Sequence, residues 1–268
     1  FARGECVEQG FYASQCVDGT IFFVKAASLF DGAIYVTFNG AKVYANSESW
    51  DGQIKSFACH GNELYFRTEN YDEEREMIYK ATFYPPSEIC VEFVQDLEED
   101  EEGHDEMMLI RHEEDKTKFV RNAWDAEEIE VDAKIDGALL LAVHRGKLIF
   151  TSNTKGNTSV QQMSPNSILI EKPGYGSGDY CDGISPLVYL CTDWKTMIVV
   201  NLDTMEYQSV DIGKVKDCDS IYSIVGVLGG RMTVLGEWNG ESWLYTAELP
   251  KGVREFELAG IQKKTSEI

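Results

Sequence analysis

The chain has 268 residues, a mass of 30.2 kDa and 43% hydrophobic residues, which is the composition of a globular protein with a full core. Lys and Arg number 24 against 46 Asp and Glu, and the resulting net charge of −22 argues against binding to nucleic acid or to anionic membrane surfaces. No apolar run approaches the roughly 18 residues of a transmembrane helix. Because the chain begins at Phe1 and not at Met, we expect a fragment or a processed product.

One short pattern recurs along the chain. It consists of an apolar strand, a turn that contains glycine, and a second apolar strand. In chain order, the turn glycines are Gly19, Gly61, Gly103, Gly146, Gly183 and Gly230, at spacings of 42, 42, 43, 37 and 47 residues. Tight hairpins need a residue at positive φ, which glycine adopts without steric cost. The sequence therefore predicts six related units.

Two further strand candidates follow the turn in several of these units. They are residues 77–81 and 89–93 in the second unit, 197–200 and 207–210 in the fifth, and 243–247 and 255–258 in the sixth. β-branched and aromatic residues are enriched in these segments, and no segment sustains helical periodicity over three turns. The chain is therefore predicted to be all-β, with four short strands in each unit.

Four short strands in each repeat of about 42 residues resemble the β-propeller superfamily over nearly the whole chain. The resemblance implies one six-bladed propeller of four-stranded antiparallel blades over residues 1–268. The predicted blades are 9–50, 53–95, 96–136, 137–174, 178–213 and 219–260, with a polar tail at 262–268. Residues 1–8 are long enough to add a strand. The specific family is open. A WD-repeat protein would repeat the dipeptide Trp124-Asp125 in its other units, and a kelch protein would have a double glycine in each blade, whereas here only Gly229-Gly230 occurs. A β-sandwich followed by a second β domain is the alternative.

The third unit is strongly acidic. Residues 92–132 contain 17 acidic and four basic residues, a local net charge of −13. Five consecutive carboxylates at 98–102 predict an exposed acidic loop at 96–106. We interpret this loop as a docking site for a basic partner. Its predicted contact residues are Glu98, Glu99, Asp100, Glu101, Glu102, Asp105 and Glu106. The alternative is a solvated loop without a partner. The spacing of these acids is not that of a calcium site, and no metal is predicted.

The seven cysteines are compatible with two cellular compartments. They are Cys6, Cys16, Cys59, Cys90, Cys181, Cys191 and Cys218, an odd number without zinc-binding spacing. Most lie in apolar segments, which favours reduced core thiols in a cytoplasmic or nuclear protein. The alternative is a secreted protein or ectodomain with two or three disulfides, in line with the sequon Asn157-Thr158-Ser159.

Motifs for catalysis are absent from the sequence. No nucleophile elbow, zinc-protease motif, phosphate loop or dinucleotide fingerprint occurs, and residues 174–178 read as a glycine-rich linker. His60, His144 and Asp182 lie near turns and are candidates for one rim, although turns also tolerate histidine. No cofactor is predicted.

Two tryptophans beside turns, Trp194 and Trp238, are the predicted aromatic contacts for a partner. The alternative is that they pack between blades. The leading functional prediction is a non-catalytic protein-interaction platform within a larger protein or complex, whose acidic loop steers a basic partner. A carbohydrate-binding or glycan-processing extracellular propeller, and a structural subunit of an obligate assembly, are the alternatives.

Overall fold

The structure is a computed structural model. It describes residues 2–7, 10–26, 32–103, 107–113, 116–125, 127–133, 138–144, 147–154, 157–163, 167–173, 186–191, 196–204, 206–211, 216–249 and 251–253. The chain forms two compact units, one of Gln9–Asp136 and one of Phe1–Glu8 with Gly137–Ile268.

The unit of Gln9–Asp136 contains three antiparallel four-stranded sheets, each built from consecutive strands. The first sheet has β2 (Phe11–Gln15), β3 (Ile21–Lys25), β4 (Ala33–Phe38) and β5 (Ala41–Tyr44). The second has β6 (Gln53–His60), β7 (Glu63–Asn70), β8 (Arg75–Tyr84) and β9 (Glu88–Asp96). The third has β10 (Glu101–Gly103), β11 (Met108–Glu113), β12 (Lys116–Asn122) and β13 (Ile129–Ala133). A short 3-10 helix, Ser47–Ser49, lies between the first two sheets.

Turn chemistry and side-chain alternation explain these strands. Asn39 and Gly40 have φ of +50° and +79° and join β4 directly to β5, as a two-residue hairpin turn requires. Along β7, Leu64, Phe66 and Thr68 point into the core while the residues between them are half-buried. This period of two is that of a strand with one face in the core.

The three sheets of this unit pack face to face. One core cluster joins the first two sheets and includes Phe22, Ile34, Leu64 and Phe66, each less than 1% exposed. A second cluster joins the second and third sheets through Ile78, Met107, Leu109 and Ala123. Since each sheet buries a face on its neighbour, the acidic third sheet is held by an apolar core beneath its charged surface.

The unit of Phe1–Glu8 and Gly137–Ile268 contains the other three sheets. One has β14 (Ala138–His144), β15 (Lys147–Thr154), β16 (Asn157–Met163) and β17 (Ser167–Pro173). The next has three strands in the described residues, β18 (Leu187–Cys191), β19 (Thr196–Asn201) and β20 (Glu206–Asp211). The last has β21 (Ser220–Leu228), β22 (Arg231–Trp238) and β23 (Glu241–Glu248).

The N-terminal segment supplies the fourth strand of that last sheet. Strand β1 (Ala2–Val7) pairs antiparallel with β23, with Ala2 opposite Thr246 and Val7 opposite Ser242. Val7 is 2% exposed, and the Arg3 guanidinium lies 4.5 Å from the centre of the Trp243 ring. Residues 255–258, the predicted fourth strand, lie outside the described residues.

The all-β prediction is confirmed, and the repeated four-stranded antiparallel sheets are those of a β-propeller. The described residues form five four-stranded sheets and one of three strands, so five four-stranded blades are found where six were predicted. The extent of a single domain over residues 1–268 stays a prediction. No described helix is long and apolar enough to cross a membrane.

Two predictions about the third sheet are wrong. The sequence predicts loop at residues 101–103, but they form strand β10 and pair with β11. Gly103, predicted as a turn glycine, ends that strand. A Cβ atom there would overlap the Arg67 side chain, so Gly103 lies at a close approach to Arg67 and not in a turn. Gly19, Gly61 and Gly230 do lie in turns at positive φ.

Candidate functional site

The acidic run begins with a tight turn that joins β9 to β10. The amide of Glu101 donates to the carbonyl oxygen of Glu98 at 3.0 Å, and the Glu98 amide donates to Glu101 Oε2 at 3.1 Å. The turn is therefore closed by hydrogen bonds between its own residues, and the carboxylates on it have defined positions.

Glu101 is a buried anchor and not a surface residue. Its side chain is 2% exposed, and its oxygens accept hydrogen bonds from Nε and Nη2 of Arg121 at 2.9 to 3.1 Å. Arg121 lies on β12, two strands away, and is itself 11% exposed. The prediction of an entirely exposed acidic loop is therefore wrong at Glu101, because this long-range partner draws the carboxylate inward.

Arg111, on β11, forms ion pairs with three further carboxylates. Its Nη2 lies 2.7 Å from Glu98 Oε2, its Nε 3.1 Å from Asp100 Oδ2, and its Nη1 3.0 Å from Glu128 Oε1. Partial burial lowers the pKa of Arg111, but attraction to Glu128, Asp100, Glu98 and Glu101 outweighs burial and raises it above its ordinary value. The guanidinium therefore holds several carboxylates in one place.

This ion network does not neutralise the surface. Two guanidinium groups, of Arg111 and Arg121, face the four carboxylates of Glu98, Asp100, Glu101 and Glu128, which leaves a net charge of −2. Glu99 is exposed and forms no ion pair with any residue that the structure describes. Glu102 lies 3.1 Å from Nε2 of His112, and both side chains are exposed. We call the exposed members, Glu98, Glu99, Asp100 and Glu102, the acidic surface.

The structure brings together only part of the predicted contact set. Asp105, Glu106 and Trp194 lie outside the described residues. Trp238 ends β22 beside the turn of Asn239 and Gly240, is half-buried, and belongs to the other compact unit. The aromatic contacts therefore stay a prediction.

Three other tryptophans of the described residues pack against neighbouring side chains. Trp50 meets the ring of Phe66 edge-on at 5.6 Å, and Trp243 lies under the guanidinium of Arg3. Trp124 stacks on the imidazole of His60 at 4.7 Å with an angle of 9° between the rings. Trp50, Trp124 and Trp243 therefore have packing contacts, the kind of role that is the alternative for Trp194 and Trp238.

The His60 and Trp124 stack is part of a polar and aromatic cluster that sequence reasoning missed. Tyr65 meets Trp124 edge-on at 5.7 Å, and its hydroxyl donates to Glu63 at 3.1 Å. Glu63 also accepts from Lys80 at 3.1 Å and Thr82 at 3.3 Å. Burial raises the pKa of Glu63, but the bonds from Lys80, Tyr65 and Thr82 outweigh it and hold the pKa below its ordinary value. These carboxylate bonds stay within the second sheet, which marks them as structural.

The predicted rim of His60, His144 and Asp182 is not tested. Asp182 lies outside the described residues, and for His144 the strand β14 is described without its side-chain surroundings. Within the described part of the chain, no group of three or more His, Cys, Asp or Glu residues is arranged to hold a metal ion.

Comparisons with known proteins support the fold. No protein-family model matches the chain, and no curated protein matches it in sequence. A solved structure described as an oxidoreductase (glucose dehydrogenase) from Thermus thermophilus superposes with a TM-score of 0.53 at 10% identity, covering 92% of this chain and 99% of that one. The WD40 β-propeller domain of Doa1 gives a TM-score of 0.47 at 13% identity, covering 93% and 96%. An oligogalacturonate lyase in complex with manganese gives 0.47 at 12% identity, covering 93% and 79%. At 10% identity, the similarity to the Thermus thermophilus structure concerns the fold alone.

Proposed function

We propose that this propeller is a non-catalytic protein-interaction platform within a larger protein or complex, and that its acidic surface engages a basic partner. One observation carries the proposal: among the described residues, two guanidinium groups face the five carboxylates of residues 98–102, and Arg111 and Arg121 hold the carboxylates of Glu98, Asp100 and Glu101 in place. A fixed surplus of negative charge attracts a positive surface and raises its association rate.

The network divides the acidic run into two roles. Glu101 is a positioning residue, because it is buried and bound to Arg121. Glu98 and Asp100 are 65% and 57% exposed, so one side of each carboxylate is open to a partner's Lys or Arg while the other faces Arg111. Glu99 is entirely available. A basic partner then meets carboxylates with defined positions, which limits the conformational entropy lost on binding.

Further contact residues complete the proposal. Asp105 and Glu106 extend the same acidic run along the chain. Trp194 and Trp238, which belong to the other compact unit, are proposed separately as aromatic contacts for a partner. We propose the cytoplasm or nucleus as the compartment, where most cysteines stay reduced and disulfides are transient.

Affinity capture with two charge-matched variants tests the proposal. In the first variant Glu98, Glu99 and Glu102 are changed to Gln and Asp100 to Asn. In the second, Glu48, Glu74 and Glu241 are changed to Gln and Asp72 to Asn, four exposed carboxylates for which the structure gives no ion pair. Both variants lose the same net charge, so they differ in where the charge was removed.

We expect the wild type and the second variant to retain the same basic protein at low salt. The first variant should lose that protein, and high salt should release it from the wild type and the second variant. Equal loss of the protein by both variants would show that net charge, and not the acidic surface, governs binding. Retention that is indifferent to salt would contradict the proposal altogether.

A further inference from the structure

Two cysteines from neighbouring sheets meet in the unit of Gln9–Asp136. Cys16 follows β2 in the first sheet, and Cys59 lies on β6 in the second. Their sulfur atoms are 2.7 Å apart, although the residues are 43 positions apart in the chain. Each precedes a repeat glycine, Gly19 or Gly61, so the repeat itself brings the two thiols to the same level of adjacent sheets.

The backbone around both cysteines is held by hydrogen bonds that cross between the sheets. The Val17 amide donates to the carbonyl oxygen of Gly61 at 3.0 Å, and the Cys59 amide donates to Ser14 Oγ at 3.2 Å. The Cys16 amide donates to the carbonyl oxygen of Thr20 at 2.8 Å. These bonds hold the backbone segments from which the two sulfurs approach each other.

The two thiols differ in their access to solvent. Cys16 is 2% exposed, whereas Cys59 is half-buried. The hydrogen bond to Cys59 and then burial raise the pKa of Cys16 far above its ordinary value, so Cys16 is the less reactive thiol of the pair while Cys59 is reduced. Cys59 is the thiol that an oxidant in solution reaches first.

We propose that Cys16 and Cys59 are a reversible redox pair, whose disulfide links the first sheet of this unit to the second. The oxidant is a low-molecular-weight disulfide such as oxidised glutathione. A disulfide bond is about 2.05 Å long, so the sulfurs need to approach by only a fraction of an ångström. The site is a modification site of this fold and is independent of the acidic surface.

Thiol–disulfide exchange forms the bond in two steps. The Cys59 thiol loses its proton to solvent, and its sulfur attacks one sulfur of glutathione disulfide. A mixed disulfide forms, and one glutathione leaves as thiolate and takes up a proton. The Cys16 sulfur then attacks the Cys59 sulfur and gives its proton to the departing glutathione, so the bond between Cys59 and glutathione breaks and the second glutathione leaves as a thiol. Two protein thiols are oxidised and one glutathione disulfide is reduced to two thiols, so the electrons balance.

The test equilibrates the folded wild-type chain with mixtures of reduced and oxidised glutathione. Free thiols are then alkylated under denaturing conditions, and the peptides are mapped by mass spectrometry. We expect a linked peptide of Cys16 and Cys59 that disappears on reduction with dithiothreitol, while Cys90 and Cys218 are recovered alkylated. Recovery of Cys16 and Cys59 as alkylated thiols, or linkage of either to another cysteine, would overturn the proposal.

Two variants separate the roles of the sulfurs. Cys16→Ser removes the resolving thiol, so we expect glutathione to accumulate on Cys59 as a mixed disulfide. Cys90→Ser is the matched control and should keep the link between Cys16 and Cys59. A cooperative urea transition shows whether the Cys16→Ser variant is folded. If the folded variant carries no glutathione on Cys59, then Cys59 is not the sulfur that attacks glutathione disulfide first, and the mechanism fails. If that variant does not fold, the wild-type mapping decides alone.

Discussion

Gly40 and Gly52 have the same φ of +79° but different surroundings. Nothing lies within 4 Å of a Cβ atom built on Gly40. At Gly52, such an atom would lie 2.6 Å from the backbone carbon and oxygen of Glu69. Backbone on β7 cannot move aside as a flexible side chain does. The two glycines therefore separate the cost of a left-handed conformation from the cost of steric overlap.

We predict that Gly40→Ala lowers the free energy of unfolding by about 1–2 kcal/mol, the cost of a Cβ in this region of φ. Gly52→Ala should cost about 2–5 kcal/mol, because overlap with Glu69 adds to the same conformational cost. Urea denaturation of both variants measures the difference. Equal losses would mean that the chain relieves the overlap at Gly52 by a local shift.

The carboxylate of Glu63 predicts a pH dependence of stability. Its folded pKa lies below the ordinary value of 4.5, so its stabilising bonds to Lys80, Tyr65 and Thr82 are present above that value. They are lost as the pH falls through the folded pKa and the carboxylate is protonated. We predict that Glu63→Gln destabilises the chain by about 1–2 kcal/mol near neutrality, and that the difference from wild type shrinks in acid.

Urea denaturation at neutral and at acid pH measures this convergence, with Glu241→Gln as the control. Glu241 is exposed and has no described ion-pair partner, so its substitution should leave stability unchanged at both pH values. A gap between wild type and Glu63→Gln that is the same at both pH values would show that the bonds to Glu63 do not depend on its charge.

At the scale of the secondary-structure element, strand β10 depends on one buried ion pair. We predict that Glu101→Gln lowers the free energy of unfolding by about 3 kcal/mol, because it leaves the Arg121 guanidinium without its carboxylate. Glu99→Gln, two residues earlier, should change it by less than about 0.5 kcal/mol, because Glu99 is exposed. Chemical denaturation distinguishes them. Equal effects would contradict the division of the acidic run into an anchor and a surface.

Local patterns predicted most strands of this fold. The apolar runs around Phe22 and Phe66 and the turns at Gly19, Gly61 and Gly230 carry their signal within a few residues. Strand β10 carries no such signal, since its residues are two glutamates and a glycine. Its pairing with β11 and its bond to Arg121, 20 residues away, are tertiary interactions that no short window contains.

The same limit applies to three other features. A strand from residues 1–8 was predictable from length, but its partner β23 lies more than two hundred residues away. The stack of His60 on Trp124 and the contact of Cys16 with Cys59 each join different sheets. Neither contact was predicted, because repeat spacing alone does not say which side chains of neighbouring sheets touch.

At the scale of the whole molecule, charge is distributed unevenly. The chain carries a net charge of −22, of which −13 falls in residues 92–132. Such a chain exerts a negative field on any approaching partner, and the acidic surface adds a local maximum with fixed geometry. The net charge of the sequence alone predicted this negative field. The structure adds that Glu101 is withdrawn from it, whereas Glu98, Glu99, Asp100 and Glu102 remain on the surface.

The central claim is that this acidic surface steers a basic partner. The most direct measurement is the association rate constant of the captured partner, by stopped flow, as ionic strength rises. For the wild type we predict a steep fall, and for the variant lacking Glu98, Glu99, Asp100 and Glu102 a rate about tenfold lower at low salt with a flatter dependence. The variant lacking Glu48, Asp72, Glu74 and Glu241 should follow the wild type. Identical salt dependence in all three proteins would contradict the claim.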